Sequence, residues 1–339
     1  MKRITVLLLM FLCLVSCNSI TDEIEIIENN KEYVVSIGVA GEILDVTQVP
    51  LSKASGDDLY GIQVYARKTT NDSYTHYAYG LFDDISDLKI TLKDGYMYKF
   101  VSTCVIKGKD DIYHSQGEND VYMHYGLPFR GYLNNTFIYS DSKYLSFLES
   151  GDANLNNKYG IDYSHPTIDR YYGEVQDFEP AGKENVTIEM LRMVFGAKLI
   201  VQPFKEGTLK VSLNVFNSNV ATSFVVQPST ETQILLEEIF SYGDYETSSL
   251  STIWRFEKIS YIGYTFSHSF DLKIVHIHSD GKVEETVYNK SLSFPRCKMT
   301  TVSFKLNENE VDTGNELSSK VNVVLEDKEV EVGETIEIN

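Results

Sequence analysis

Seven histidines are scattered along the 339 residues, and only His276 and His278 stand close enough together to act as a pair. On an extended strand, residues i and i+2 face the same side, so these two rings could hold a divalent metal. No Cys and no third His lies near them in the sequence, and a solvent-facing strand accounts for them without an ion. Asp152, Asn154 and Asn156 imitate the opening of a calcium loop, but Asn157 stands where the turn glycine belongs and no Glu closes it. No metal and no cofactor is expected. The paired carboxylates Asp57-Asp58 and Asp110-Asp111 sit in turn-like stretches, where Asp is favoured for local hydrogen bonding. Gly-x-Ser-x-Gly, His-Glu-x-x-His, phosphate-loop and dinucleotide fingerprints are missing, so no catalytic residue is named and the chain reads as a non-enzyme.

The residue with the clearest chemistry is Cys17. Lys2 and Arg3 precede an apolar run from Ile4 to Val15, and the run ends in Leu14-Val15-Ser16-Cys17. This is a signal peptide: the run is about a dozen residues long, against the roughly 20 that a spanning helix needs. Ordinary cleavage wants small residues at both −3 and −1. Leu14 fits instead a bacterial lipoprotein box, with cleavage after Ser16 and lipid on the Cys17 sulfur and amine. Two or more acyl chains hold a protein firmly to a bilayer, so the expected address is the outer membrane, lipid-anchored and facing the cell surface.

Losing residues 1–16 also removes Lys2 and Arg3, which makes the formal charge of −19 two units more negative. Such a surface repels nucleic acid, which is excluded as a partner. With 42% hydrophobic residues, the remaining chain is long enough for two domains with cores of their own. Residues 17–31 are polar and acidic (Asp22, Glu23, Glu25, Glu28) and read as a tether. Cys104 lies in the apolar run Phe100 to Ile106 and reads as a buried thiol, a Cys104–Cys297 bridge being the other reading.

Past the tether, short runs rich in Val, Ile, Tyr, Phe and Thr alternate with Gly, Asn, Asp and Ser clusters, which is an all-β pattern. Tyr33 to Val39 alternates, and Ile62 to Ala66 follows a polar turn. Leu88 to Leu92 and Tyr96 to Ile106 flank Lys93-Asp94-Gly95 and are predicted to pair as a hairpin; Leu272 to His278 and Val283 to Tyr288 flank Ser279-Asp280-Gly281 in the same way. From Lys107 to Lys183 the texture changes to a long, loop-rich stretch. Further strands are predicted at Val186 to Gln202, Thr208 to Phe216, Ser223 to Gln227, Ile259 to Ser267, Thr300 to Leu306, Val321 to Leu325 and Val330 to Ile338. One helix is predicted, over Thr230 to Phe240, where Thr230 and Gln233 fit a capping box. Two strand sets around a loop-rich middle predict two tandem antiparallel Greek-key sandwiches, residues 32–185 and 186–339.

The lipoprotein box, the acidic tether and the two β-rich halves together resemble the fimbrillin-like lipoproteins of Bacteroides-type bacteria, subunits of type V pili and related surface proteins. The likeness is carried by Tyr33 to Val39, by Val49-Pro50-Leu51-Ser52-Lys53 with Leu59 to Ala66, and by Leu191-Arg192-Met193-Val194-Phe195-Gly196-Ala197-Lys198-Leu199-Ile200. The last is similar to the family's Leu-Arg-x-x-Ala-x-Ile run, with an extra residue or two before Ala197. The resemblance implies two transthyretin-like sandwiches that act in adhesion as a fimbrial subunit, anchor or tip. Its partners would be other subunits, assembled by β-strand exchange: a protease removes the first strand of one subunit, and a C-terminal strand of the next fills the groove. Here Tyr33, Val35, Ile37 and Val39 share one face of the opening strand, and Val330, Val332, Ile336 and Ile338 share one face of the last. An ordinary hairpin of Val321 to Leu325, turning at Glu326-Asp327-Lys328 onto Val330 to Ile338, explains the last strand equally well. The family's cleavage arginine has no counterpart between Cys17 and Ala66. The first Arg is Arg67, so a cut there would remove two strands, which favours an anchor, tip or accessory subunit.

Many of the 23 tyrosines crowd residues 113–172. Exposed tyrosines make adhesive, low-entropy contact surfaces. Tyr122, Tyr125, Tyr132, Tyr171 and Tyr172 are therefore candidate contacts for a glycan or host protein, the alternative function being a monomeric surface binder. Tyrosine is also simply a good strand residue with one wet end, and the single Trp, Trp254, speaks against a dedicated sugar platform.

Overall fold

The computed structural model describes residues 31–41, 57–116, 122–124, 126–141, 147, 150–152, 167–214, 222–247, 252–256, 265–306 and 321–329. The signal peptide, Cys17 and nearly all of the tether lie outside the described residues, as do Tyr125 and the segment from Val330 to Ile338. The chain is nearly all β. It opens with β1 (Glu32–Gly41), β2 (Leu59–Arg67), β3 (Thr75–Phe82), β4 (Lys89–Lys93) and β5 (Met97–Val105). One helical turn, α1 (Gly108–Asp111), leads into β6 (His114–Gln116), β7 (Tyr122–His124), β8 (Gly131–Tyr132), β9 (Ile138–Tyr139) and β10 (Ser150–Asp152). Long strands resume with β11 (Arg170–Phe178), β12 (Asn185–Arg192), β13 (Val194–Val201), β14 (Thr208–Asn214), β15 (Thr222–Val226) and β16 (Gln233–Ser241). The last are β17 (Gly243–Thr247), β18 (Thr252–Phe256), β19 (Thr265–Ile277), β20 (Val283–Pro295), β21 (Lys298–Leu306) and β22 (Val321–Glu329).

Eight of the strands up to Arg192 build one long sheet in the order β4-β1-β12-β11-β5-β2-β3-β9, while β6, β7 and β8 form a small sheet of their own. It folds over at β12, whose first residues pair with β1 and whose last two, Leu191 and Arg192, pair with Tyr172 and Tyr171 of β11. Gly173 makes the fold-over sterically feasible, since a Cβ there would come within 2.2 Å of the Glu189 carbonyl oxygen. The two arms enclose one core. Val35, Ile37, Ile90, Leu92 and Ile188 come from one arm, and Tyr60, Ile62, Val64 and Phe100 from the other. Burying several such side chains, at about 1.5–3 kcal/mol each, is what holds the arms together.

The loop-rich middle covers the outer face of the second arm. Leu59, Leu81 and Val105 of β2, β3 and β5 point away from the first core and bury against Ile112, Phe129 and Ile168. This explains why β2 is buried on both faces, with few polar residues to mark an outer side.

After Met193 eight strands form two facing sheets, β16-β13-β21-β22 and β15-β14-β19-β20, around Phe195, Leu199, Val211, Leu213, Leu272, Ile274 and Phe304, and β17 and β18 join β10 in a third. From Glu32 onward the chain packs as one compact unit. Links between its earlier and later strands include the β10–β18 pair and the Ser241 hydroxyl donating to the Ile168 carbonyl.

Four expectations are overturned. The segment from Thr230 to Phe240 is no helix: Gln233–Ser241 is β16, paired antiparallel with β13. Its capping box never closes, because the Gln233 side chain donates to the Gln227 carbonyl. The ladder along β13, with a Lys198–Glu237 ion pair at 2.8 Å, supplies more partners than an isolated helix could. The expected hairpin of Leu88–Leu92 with Tyr96–Ile106 also fails. Gly95 does turn the chain (φ +74°), but β4 pairs with β1 while β5 pairs with β2 and β11, so the turn carries the chain from one arm to the other. Tyr98 bridges the gap: its hydroxyl accepts from the Lys93 amide (2.7 Å) and donates to the Lys93 carbonyl (3.0 Å). No turn interrupts Glu326-Asp327-Lys328, because β22 runs through them in register with β21. Lastly, the stretch 107–183 contains a nine-residue strand, β11, whose polar sequence Glu174-Val175-Gln176-Asp177 hides its period.

The hairpin of Leu272 to His278 with Val283 to Tyr288 forms as expected and extends over β19 and β20, with Gly281 at φ +87°. Cys104 and Cys297 are both buried as free thiols.

Candidate functional site

β1 has the environment that strand exchange would need. Its residues Tyr33 and Val35 pair antiparallel with Leu92 and Ile90 of β4, while Ile37 and Val39 pair parallel with Val186 and Ile188 of β12. Alternation places Val35, Ile37 and Val39 at 0, 4 and 6% exposure, and Val34, just before them, at 64%. Tyr33 packs partly buried against the same core. Without β1, two sheet edges and three apolar pockets would face water, which is the arrangement that β-augmentation satisfies. The other proposed partner in exchange, Val330, Val332, Ile336 and Ile338, lies outside the described residues.

Arg67, the first arginine after Cys17, ends β2. Its guanidinium forms an ion pair with Asp177 and sits 4.5 Å from the centre of the Tyr74 ring. β2 lies between β3 and β5 in the middle of the second arm, so a cut after Arg67 would take a central strand with it.

A cavity of about 200 Å³ opens beside β5 and β11. Tyr65, Phe147, Tyr172 and Phe256 give it aromatic walls, and Lys99 and Arg170 give it cationic groups. The Arg170 guanidinium lies 4.6 Å from the centre of the Phe256 ring, a cation–π contact across the two halves of the chain. Lys99 pairs with Glu174 at 3.0 Å, and Tyr172 and Gln176 also donate to that carboxylate. Burial alone would raise the pKa of Glu174, but these three donors hold it below the usual carboxylate range. A fully bonded, ionised Glu is a poor general acid. The cavity suits holding a ring or a short apolar group rather than bond-breaking.

The four candidate tyrosines among the described residues, Tyr122, Tyr132, Tyr171 and Tyr172, do not come together as one surface. Tyr122 and Tyr132 are 42% and 46% exposed on the paired strands β7 and β8, Tyr171 is half-buried against the first core, and Tyr172 is buried in the cavity wall. In β11, only alternation between sheet faces separates Tyr171 from Tyr172, and composition gives no sign of it. Below β7, His124 is buried across the ladder from His114, their ring centres 5.0 Å apart. Burial, with His114 adding to it, pushes the His124 imidazole down to about 4.

His276 and His278 do share a face at the end of β19, as their spacing predicts, with ring centres 4.0 Å apart. The ladder sets Glu284 of β20 directly opposite His276. Glu284 stands only six residues past His278 in the predicted hairpin, and the register of that hairpin sets it opposite His276. No described helix is long and apolar enough to cross a membrane.

No protein-family model and no curated protein matches the chain. Among solved structures it is similar to a candidate cell adhesion protein from Bacteroides eggerthii, at 13% identity, covering 88% of this chain and 96% of that one, with a TM-score of 0.42. It is also similar to the fimbrial anchor protein Mfa2 from Porphyromonas gingivalis (11% identity, 88% and 97% covered, TM-score 0.34). The tip fimbrial protein Mfa3 of the same organism, solved with a C-terminal truncation, matches at 12% identity with 88% and 100% covered and a TM-score of 0.28.

Proposed function

We propose that this chain is a lipid-anchored protein of the outer membrane, held by Cys17, that serves as the anchor or tip subunit of a fimbria and joins its neighbours by β-strand exchange. The observation that carries the reading is the seat of β1: a segment close behind the tether, inserted between β4 and β12, that completes a core it could also vacate. A subunit that keeps β1 fills its own groove and ends a fibre. The central place of β2 argues against loss of β1 by cutting at Arg67, which supports the fibre-ending role. In that role the chain would donate the segment from Val330 to Ile338 rather than receive a strand. The two sandwiches are proposed to join at Met193, since β12 pairs back into the first sheet.

The test is a variant carrying a site-specific protease sequence between Gly41 and Leu59. After nicking, incubation should give SDS-resistant ladders on a gel, and removing residues 330–339 from every chain present should abolish them. A population that stays monomeric after nicking overturns strand exchange.

A second reading, a surface binder of glycan or host protein, is supported by the adjacent exposed rings of Tyr122 and Tyr132. A glycan array with the full chain tests it. Signal that survives Tyr122→Ala and Tyr132→Ala together would remove these residues from the contact. No catalytic step is proposed.

A further inference from the structure

We infer that the tip of the β19–β20 hairpin is a binding site for a divalent first-row transition-metal ion, Zn²⁺ in the first instance, with His276, His278 and Glu284 as ligands. One ligand atom from each of the three lies within 4.8 Å of the other two. The fold, rather than chance, brings them together. His276 and Glu284 are directly opposed in the antiparallel ladder, so their side chains leave the sheet on the same side. His278 follows two residues later and shares that side.

The turn beyond them is well determined. The His278 amide donates to the Lys282 carbonyl at 2.8 Å, the Gly281 amide to the His278 carbonyl at 2.9 Å, and the Lys282 amide to Asp280 Oδ1 at 2.9 Å. The ring of His276 is held as well. Its Nε2 lies 3.0 Å from the Glu206 carbonyl oxygen, and a carbonyl only accepts, so Nε2 carries the proton and Nδ1 the lone pair. A backbone carbonyl that fixes the tautomer in this way is the usual support of a metal-bound histidine. Gly207 leaves room for the ring: a Cβ at that position would come within 2.5 Å of His276 Nε2.

Two imidazoles and one carboxylate select the metal class. Calcium and magnesium want oxygen ligands throughout, whereas nitrogen with one oxygen suits zinc and its neighbours. Tetrahedral ligands at about 2.1 Å from zinc stand about 3.4 Å apart. His278 Nε2 and Glu284 Oε2 are already 3.3 Å apart, so only His276 has to close in, by a small torsional adjustment. Lys282 is the competitor: its Nζ lies 3.1 Å from Glu284 Oε1, and being 59% exposed it can swing into solvent. Three protein ligands leave one position for water or for a group from outside the chain.

The experiment is calorimetric titration of the full chain in detergent with zinc chloride, after EDTA treatment and dialysis. One zinc per chain is expected at micromolar concentration. His278→Gln and Glu284→Gln should each weaken it at least about tenfold without moving the melting temperature in EDTA. Lys282→Ala should tighten it several-fold, an effect that no merely structural role of these residues produces. The site is refuted if no saturable binding appears below about 100 µM zinc. It is equally refuted if affinity is unchanged in the His276→Gln, His278→Gln double variant, which would place the ion on other histidines. Displacement by millimolar calcium would overturn the metal class.

Discussion

Ile37→Ala tests the seat of β1 in two independent ways. Ile37 is 4% exposed in the first core, with Val35 and Val39 along its own strand and Ile90 and Ile188 in the strands beside it. The substitution removes three carbons, at about 0.8 kcal/mol each, so about 2.4 kcal/mol of burial is lost; the cavity left behind moves the total toward about 4 kcal/mol. Against a typical stability of about 5–15 kcal/mol, the protein should still fold. Urea melts should therefore show a midpoint lowered by that free energy divided by the slope, with the slope itself unchanged. Val34→Ala, one residue away but 64% exposed, should stay within about 0.5 kcal/mol of the parent. The same energy appears in exchange. A labelled peptide of residues 32–41 with Ala at position 37 should bind the nicked, strand-depleted protein at least about fiftyfold more weakly than the unsubstituted peptide, the burial loss alone giving that factor, since 1.4 kcal/mol is a factor of ten. If Ile37→Ala costs no more than Val34→Ala, the burial argument is wrong. If it destabilises the chain but the two peptides bind alike, the groove is not where an incoming strand sits.

Other measurements follow from the same geometry. His124 has an imidazole pushed down to about 4 by burial and by His114, against an ordinary value near 6.5, so the folded state takes up fewer protons than the unfolded one between these limits. Its contribution is whole above about pH 6.5 and is lost as pH falls toward 4, on the order of 3 kcal/mol; His124→Leu should flatten that part of the stability profile, and a profile as steep as before would refute the assignment. Gly173→Ala should cost at least about 1–3 kcal/mol, because its Cβ meets the Glu189 backbone oxygen and not a movable side chain; a melting temperature equal to the parent's would show that the fold-over at β12 has slack. Cys104, whose thiol burial pushes well above its usual range, and Cys297 should both resist a thiol reagent in the native protein and react once it is unfolded. Rapid native-state labelling of either would contradict their burial.

Much of the β1 seat was legible from residues alone. Strict alternation of Tyr33, Val35, Ile37 and Val39 dictates one buried face whatever the partner, because the strand period is two. The same holds for the hairpin at Ser279-Asp280-Gly281, where a glycine at positive φ joins two strands long enough to pair with each other. Where sequence reasoning failed, the missing term was the partner. Leu88 to Leu92 and Tyr96 to Ile106 are both good strands around a good turn, yet each found a better ladder elsewhere, and nothing local distinguishes a hairpin from a crossing between two arms. Gln233–Ser241 carries a plausible helix start, but the edge of β13 offered it hydrogen bonds along its length, and tertiary pairing outweighed propensity.

Residue types and their local periods thus determined the β class, the faces of β1 and β12, the shared side of His276 and His278 and the acidic character of the chain. Those properties depend on side-chain chemistry and a two-residue repeat, which any short window contains. Only the tertiary structure decided that β1 lies parallel to a strand some 150 residues away, that Tyr172 turns inward while Tyr122 stays wet, and that Glu284 meets the histidine pair. The first is a matter of register between distant segments and the last of register within one hairpin. Register is chosen by the total burial and hydrogen bonding of a whole sheet, a sum to which no single stretch of sequence has access.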